Sequence, residues 1–335
     1  MPKVMVIGSA NVDFTVNVDR LPSPGETVLG QDFYQSLGGK GANQAVAALR
    51  AGATVTFLAK LGPDAHGQHL GLHLAFLGLP RESLLKDPSR PTGVALIMVD
   101  RMGRNLIAVA PGSNQAITVE DVQRASRPIS EAAVLLVQLE VPLPAVAEAL
   151  RIAKKHGVTT ILNPAPAQLL SRDVLMLVDV LTPNESEAQA LTGLTDAGAA
   201  ARALVEQGVR AVVVTLAERG ALLTRTDRTR EFPAYAVKAV DATAAGDAFN
   251  GALACALAEG RSLEDAIVFA NAAGALTTTK RGAQESLPTR SEIEELCPQS
   301  RKLGSIETRL ESARRHDKDW GEPRLRRGRR PPGMP

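Results

Sequence analysis

The chain has 335 residues, 44% apolar but only 3% aromatic, long enough to bury a sizeable core that must rest on Ala, Val and Leu. The formal charge of +2 hides an asymmetry: residues 301–335 hold 11 Lys/Arg against 5 Asp/Glu, a net +6, which leaves residues 1–300 at −4. No apolar stretch approaches the ~20 residues of a membrane helix, Val4-Met5-Val6-Ile7 is too short for a signal segment, and Cys255 and Cys297 form no metal or redox spacing, so a cytoplasmic protein with no membrane partner is expected.

Lys3 to Ile7 is a short apolar run ending in Gly8-Ser9 and predicts a buried strand. Phe14 to Val18 and the region from Thr27 to Ser36 alternate in polarity, with Pro22, Pro24 and Gly25 breaking the chain between them, as in half-exposed strands outside the main core. An Ala-rich helix spans Gly41 to Ala51, a strand follows at Val55 to Ala59, and a helix near Ala65 to Leu77. Thr92 to Asp100 and Asn105 to Ala110 flank the turn Arg101-Met102-Gly103-Arg104 and predict a hairpin that joins the early alternating strands in a small sheet.

From about residue 118 strands alternate with helices. Strands are expected at Ala133–Leu139, Val158–Leu162, Val178–Leu181 and Val209–Thr215, and helices at 143–156, 184–192 and 196–207, the pattern of a parallel sheet covered by helices. Ala221–Thr224 and Glu231–Tyr235 predict antiparallel strands near an edge. Helices follow at 246–259 and 262–276, and a last one runs from Thr289 to Cys297. Beyond Pro298 the apolar period stops; residues 298–335 form a basic tail expected to be disordered, with no specific nucleic-acid partner.

The most informative stretch is Val240-Asp241-Ala242-Thr243-Ala244-Ala245-Gly246-Asp247, a small-residue loop running into a helix. Such a joint directs free N–H groups and the positive end of the helix dipole at one spot, which suits an anion. Asp247 stands where a hydroxyl could lose its proton beside a held phosphoryl group. Taken alone, Gly246-Asp247 reads as an ordinary helix start with an Asp in its first turn. Other segments bear on the choice. Gly38-Gly39-Lys40-Gly41-Ala42-Asn43-Gln44 opens a helix and lets backbone approach a ligand, although a plain glycine turn would look the same. Asn11 and Asp13, two apart on an extended segment, point the same way and suit sugar hydroxyls or else form an Asx turn. Gln138-Leu139-Glu140 ends a predicted strand, so Glu140 would face the same crevice.

Together with Asn184-Glu185-Ser186-Glu187, these motifs occur in an order that resembles the ribokinase-like (PfkB) family of carbohydrate kinases over residues 3–296. The resemblance implies a three-layer α/β/α fold with a mostly parallel sheet and a small β-sheet lid from about 12–36 and 92–110, within a kinase domain of residues 1–297. It implies transfer of phosphate from ATP to O5 of D-ribose, or to another sugar or nucleoside, with a non-catalytic sugar-binding protein as the alternative of another class. Asp247 would be the general base, with Ala244, Ala245 and Gly246 forming the anion hole. Asn11, Asp13, Gly39, Lys40, Gly41, Asn43 and Glu140 would hold the sugar. Asn184, the loop Thr215, Leu216, Ala217, Glu218, Arg219, Gly220, and Asn271 would hold the nucleotide with Gly246 and Asp247, and Glu187 the Mg²⁺ region. Asp241 and Thr243, with the Thr277–Ser286 loop through Thr277, Lys280, Gly282 and Ser286, would enclose K⁺. The lid would pair into a homodimer and close over the sugar, excluding water. Ala242 stands where these kinases often carry Thr, and the tail has no recognised counterpart.

Overall fold

A computed structural model of the chain describes residues 1–297; the predicted tail lies outside them. The first apolar run is β1 (Lys3–Ile7), and its end at Gly8 leads within three residues into β2 (Asn11–Val18). After β3 (Gly30–Gly38) come helix α1 (Lys40–Arg50), strand β4 (Thr54–Leu61), helix α2 (Ala65–Phe76) and strands β5 (Leu84–Lys86), β6 (Gly93–Val99) and β7 (Asn105–Ala110). The alternating half then runs α3 (Val119–Arg124), α4 (Ser126–Ser130), β8 (Val134–Val137), α5 (Leu143–Lys155), β9 (Thr159–Leu162), α6 (Arg172–Leu175), β10 (Val180–Leu181), α7 (Glu185–Thr192), α8 (Ala197–Glu206) and β11 (Ala211–Thr215). Strands β12 (Ala221–Thr224) and β13 (Thr229–Phe232) precede α9 (Ala245–Ala258), α10 (Leu263–Thr277) and α11 (Arg290–Leu296).

Two sheets result. The large one has nine strands in the order β13-β12-β11-β10-β9-β8-β1-β4-β5, parallel except for the antiparallel edge β12-β13. The small one has the order β3-β2-β6-β7, with β2 and β6 parallel and the outer pairs antiparallel. This is the expected ribokinase-like arrangement, with local differences. Strand β5 was not foreseen, because three residues are too few to show a period. Helices α3, α4 and α6, of six, five and four residues, fall where the sequence predicts no element. The last strand sits at Thr229–Phe232 rather than Glu231–Tyr235, since Pro233 has no N–H for the ladder.

The core between sheet and helices is aliphatic: Met5, Ile7, Leu135, Val137, Leu162, Leu181, Val212 and Val214 are buried with Ala and Leu from α5 and α8. On the other side α9 is flanked by α1 and α10, all rich in Ala. The crossing of α1 and α9 is close because position 251 is Gly. A Cβ there would lie 2.5 Å from Ala47 Cβ and 2.7 Å from both the Ala48 nitrogen and the Gln44 carbonyl oxygen. That approach sets the first turn of α9 against the first turn of α1. Gly251→Ala is therefore expected to push the helices apart, lowering stability by about 1–3 kcal/mol in urea titrations and lowering activity more than an Ala replacement at exposed Gly260 lowers it.

Candidate active site

The residues expected to hold the sugar gather where β1, β8 and the small sheet meet. Gly8 and Gly41 let the end of β1 touch the start of α1: a Cβ on Gly41 would come within 2.5 Å of the Ser9 nitrogen. Helix α1 has neither a side-chain cap of its own nor an acidic residue in its first turn. Glu140 supplies both from outside, accepting the Lys40 N–H at 3.1 Å and the Ser9 hydroxyl at 2.5 Å. Gly39, at φ 89°, sits so close to Ala10 and Asn11 that no side chain fits.

Asn11 is buried, and its Oδ1 accepts from Asn114 Nδ2 at 2.7 Å, while Asn114 Oδ1 accepts the Ala10 N–H at 3.0 Å. Both amides are thereby oriented, and Asn11 is left to present its NH₂ donor. Asp13, two residues on, has an oxygen, Oδ1, that is buried without a partner. Burial, then the charges of Glu140, Asp247 and Glu285, push its carboxyl up to about 7, against the opposing pull of Lys40.

Asp247 lies in the first turn of α9 and is buried. Its Oδ2 accepts from Asn43 Nδ2 and its Oδ1 from Gln44 Nε2, both at 2.9 Å. Burial raises its pKa, while Lys40 and these two amides pull the other way. Lys40 is the cation of the cluster. Burial alone would lower its pKa, but Asp247, Glu140, Glu187 and Asp13 outweigh it and hold the ammonium charged.

The helix start beside Asp247 is prepared for an anion. Ala244, at its N-cap, adopts the left-handed φ of 61°, and no side chain caps the helix. The Ala245 N–H goes to the Ala242 carbonyl at 3.2 Å. Those of Gly246 and Asp247 have no acceptor among the described residues. The space over Gly246 is open: an added Cβ would meet nothing within 4 Å.

Among the residues expected to hold the nucleotide, Asn184 caps α7 through a capping box with Glu187, the side chain of each taking the other's backbone N–H. The Asn184 bridge to Thr215 ties α7 to the loop after β11. That loop, Leu216 to Gly220, is a tight turn closed by the Leu216 N–H on the Gly220 carbonyl, with Arg219 paired to Glu185 of α7. Gly220 cannot carry a side chain, since a Cβ would strike the Phe232 carbonyl. Burial raises the Glu187 pKa, with Asp247 adding to the rise and the Asn184 N–H and Lys40 opposing it. Asn271 spends its amide donor on the Phe232 and Pro233 carbonyls and so holds the strand behind this loop.

The family model for pfkB carbohydrate kinases matches residues 1–290. The chain belongs to that family. It is 42% identical to a ribokinase of Haemophilus influenzae over 292 residues, 86% of this chain and 95% of the relative. Its fold is similar to that of a ribokinase from Thermotoga maritima, at 37% identity and a TM-score of 0.82, covering 89% and 100% of the two chains. It is also similar to an Arabidopsis thaliana ribokinase complexed with ribose and ATP, at 31% identity and a TM-score of 0.80, covering 88% and 98%.

In this pfkB kinase the segments expected to enclose a monovalent cation do face each other. Asp241 receives the N–H and hydroxyl of Thr243 on Oδ1, at 2.9 and 2.6 Å, and the Gly282 N–H on Oδ2 at 3.0 Å. Burial works against it, but these bonds hold its carboxyl below the ordinary range. Thr277 and Ser286 turn their hydroxyls to the Ala273 and Ala283 carbonyls, and Lys280 pairs with Glu292, so that Lys280 has only its carbonyl to offer.

Three residues of the site had no assigned role in the sequence: Gln44, Asn114 and Asn163, the last donating to the Thr182 carbonyl and accepting from Gln44. Gln44 lay within a quoted motif; the other two are single polar residues with no local pattern.

The raised Asp13 pKa has a consequence for stability. Folding moves its proton affinity from an ordinary 3.8 to about 7, so between those values the folded chain holds the extra proton and stability falls as pH rises. Asp13→Asn is expected to melt higher than the parent at pH 8 in the ligand-free state, by roughly 2–4 °C per kcal/mol relieved. The gap should close towards pH 4, and sugar affinity should fall. Differential scanning calorimetry across that range checks the sign.

Proposed function

We propose that this pfkB kinase transfers the γ-phosphoryl group of ATP to O5 of D-ribose. The observation that carries the reading is the Asp247 carboxylate, buried and held by two amides beside the uncapped start of α9 and within the field of Lys40. The ribokinase names of relatives sharing most of the chain's length support ribose as the acceptor. The ribose and ATP of the Arabidopsis complex support the pair of substrates.

In the proposed reaction the sugar lies against Asn11, Asp13, Gly39, Lys40, Gly41, Asn43 and Glu140. Asn11 donates through its oriented amide, and the unpartnered Asp13 Oδ1 and Asn43 Oδ1 accept from hydroxyls. The 5-hydroxyl gives its proton to Asp247 as its oxygen attacks the γ-phosphorus in line. The oxygen–phosphorus bond forms as the bond to the ADP oxygen breaks. The N–H groups of Gly246 and Asp247, set by Ala244 and Ala245, stabilise the charge on the transferring group. Asn184, the Thr215–Gly220 loop and Asn271 position the nucleotide.

Mg²⁺ would arrive on the nucleotide phosphates, with Glu187 near it; among the described residues no group of three His, Cys, Asp or Glu is placed to hold a metal ion. When bound, Mg²⁺ neutralises phosphate charge. Asp241, kept ionised and pinned between two loops, fits a weakly hydrated K⁺ shared with loop carbonyls, which would stiffen the backbone of the anion hole. Tyr34, Ile107 and Val109 are exposed and share the sheet face of Asp13 through the β3-β2-β6-β7 register, supporting a homodimer through this face. No helix among the described residues is long and apolar enough to cross a membrane; the use of ATP supports a cytoplasmic location.

With ATP and Mg²⁺, ADP release across ribose, deoxyribose, other pentoses and ketohexoses is expected to be fastest with ribose. Asp247→Asn is expected to bind sugar and nucleotide yet lose ~10²–10⁴-fold in turnover; parent-like turnover would remove it as the base. Activity is expected to be higher in K⁺ than in tetramethylammonium at equal ionic strength, and equal rates would remove the cation.

A further inference from the structure

Asp247 is also the end point of a set of buried amides, Gln44, Gln138 and Asn163, to which no substrate contact is assigned. Gln44 Nε2 donates both of its hydrogens, one to Asp247 Oδ1 at 2.9 Å and one to Asn163 Oδ1 at 3.0 Å. Its Oε1 accepts from Gln138 Nε2 at 2.6 Å. Asn163 Nδ2 in turn donates to the main-chain carbonyl of Thr182 at 3.0 Å. Gln138, Asn163 and Thr182 are the first residues past β8, β9 and β10, so three neighbouring strands of the sheet carry the set at their carboxyl ends. All are buried.

The polarity of this chain of amides is decided at one end. A main-chain carbonyl can only accept, so Asn163 must turn its NH₂ to Thr182 and its oxygen to Gln44. Gln44 must then turn its NH₂ towards Asn163, and the second hydrogen falls on Asp247. Gln138 donates to the remaining Gln44 oxygen and leaves its own Oε1 buried without a partner. A reversed Gln44 would set oxygen against oxygen at Asn163 and at Asp247 alike. The same strand ends reach the helix start from the other direction: Thr182 donates its hydroxyl to Asn250 Oδ1 at 2.6 Å, and Asn250 Nδ2 donates to the Gly246 carbonyl at 2.8 Å.

We propose that Gln44 is a positioning residue for the Asp247 base, its amide locked as a donor by Asn163 and Gln138 so that the carboxylate is held in one orientation and kept available as an acceptor. The proposal rests on the reading of Asp247 as the base. Asn43 also donates to Asp247, but it is a sugar contact and is free to exchange partners when substrate enters. Gln44 has no such second duty. The groups facing Asp247 from the surrounding elements are Asp13 of β2, Lys40 of α1, Glu140 beyond β8 and Glu187 of α7. None of them is altered by changing Gln44.

Gln44→Met keeps length and removes the donor; Asn163→Leu keeps size and charge and removes the acceptor that locks Gln44. In each variant we expect kcat to fall about 10–100-fold, as for a reacting group displaced by a fraction of a bond length, with sugar and ATP KM values within about 3-fold of the parent. The acid limb of kcat/KM should move to higher pH, because a carboxylate that loses a donor takes up its proton more readily. Calorimetric sugar binding reports whether each variant is folded, and Asn163→Leu decides if Gln44→Met is not. An unchanged kcat and acid limb in a folded variant would overturn the proposal, and so would losses in kcat and KM together with an unmoved limb. If instead Asp247→Asn retains turnover, the base assignment itself fails, a result separate from either outcome for Gln44.

Discussion

The site depends on holding one carboxyl group, that of Asp247, in place where it is buried. Removing a carboxylate from water is costly, and the cost is offset only by donors and countercharge in fixed places. Asp247 obtains its donors from two consecutive residues of α1, Asn43 and Gln44, and its countercharge from Lys40 at the head of the same helix. All three are delivered by one crossing, that of α1 and α9 over Gly251. A small-residue contact in the core thus sets the chemistry of the cleft one helical turn away.

The proposed sugar side follows a different rule, leaving polar atoms unsatisfied instead of satisfying them. Asp13 Oδ1 and Asn43 Oδ1 are buried without partners, and four carboxylates act on Lys40. Such an arrangement weakens the empty protein and readies it for a ligand that brings hydroxyl donors. Ala244 in its left-handed conformation has the same character at the helix start.

Much of this was legible in the sequence. The alternation around Phe14 and the hairpin at 92–110 gave the small sheet, and the strand–helix rhythm after residue 118 gave the parallel one. Asn11, Asp13, Lys40, Asn43, Glu140 and Asp247, read from separate motifs, do converge. Asn271 and Lys280 are present, but their side chains are spent on Phe232, Pro233 and Glu292. What escaped were elements shorter than one period, such as β5, and residues whose meaning lies in long-range pairing. Asn114 reaches back across about a hundred positions to Asn11, and Asn163 across a similar span to Gln44. No window along the chain contains both partners.

The glycines under the sugar residues bear on how the acceptor could change. Gly93 lies against Asn11 and Gly38 against Asp13, each so near that a Cβ would overlap the side chain, at 2.2 and 2.1 Å. The floor of the proposed sugar site is thus bare backbone at these two positions, with no room there for a side chain. Redesign for a bulkier or a deoxygenated acceptor would have to work from the wall, at Ala95 and Ser36, which flank Asp13 on the neighbouring strands.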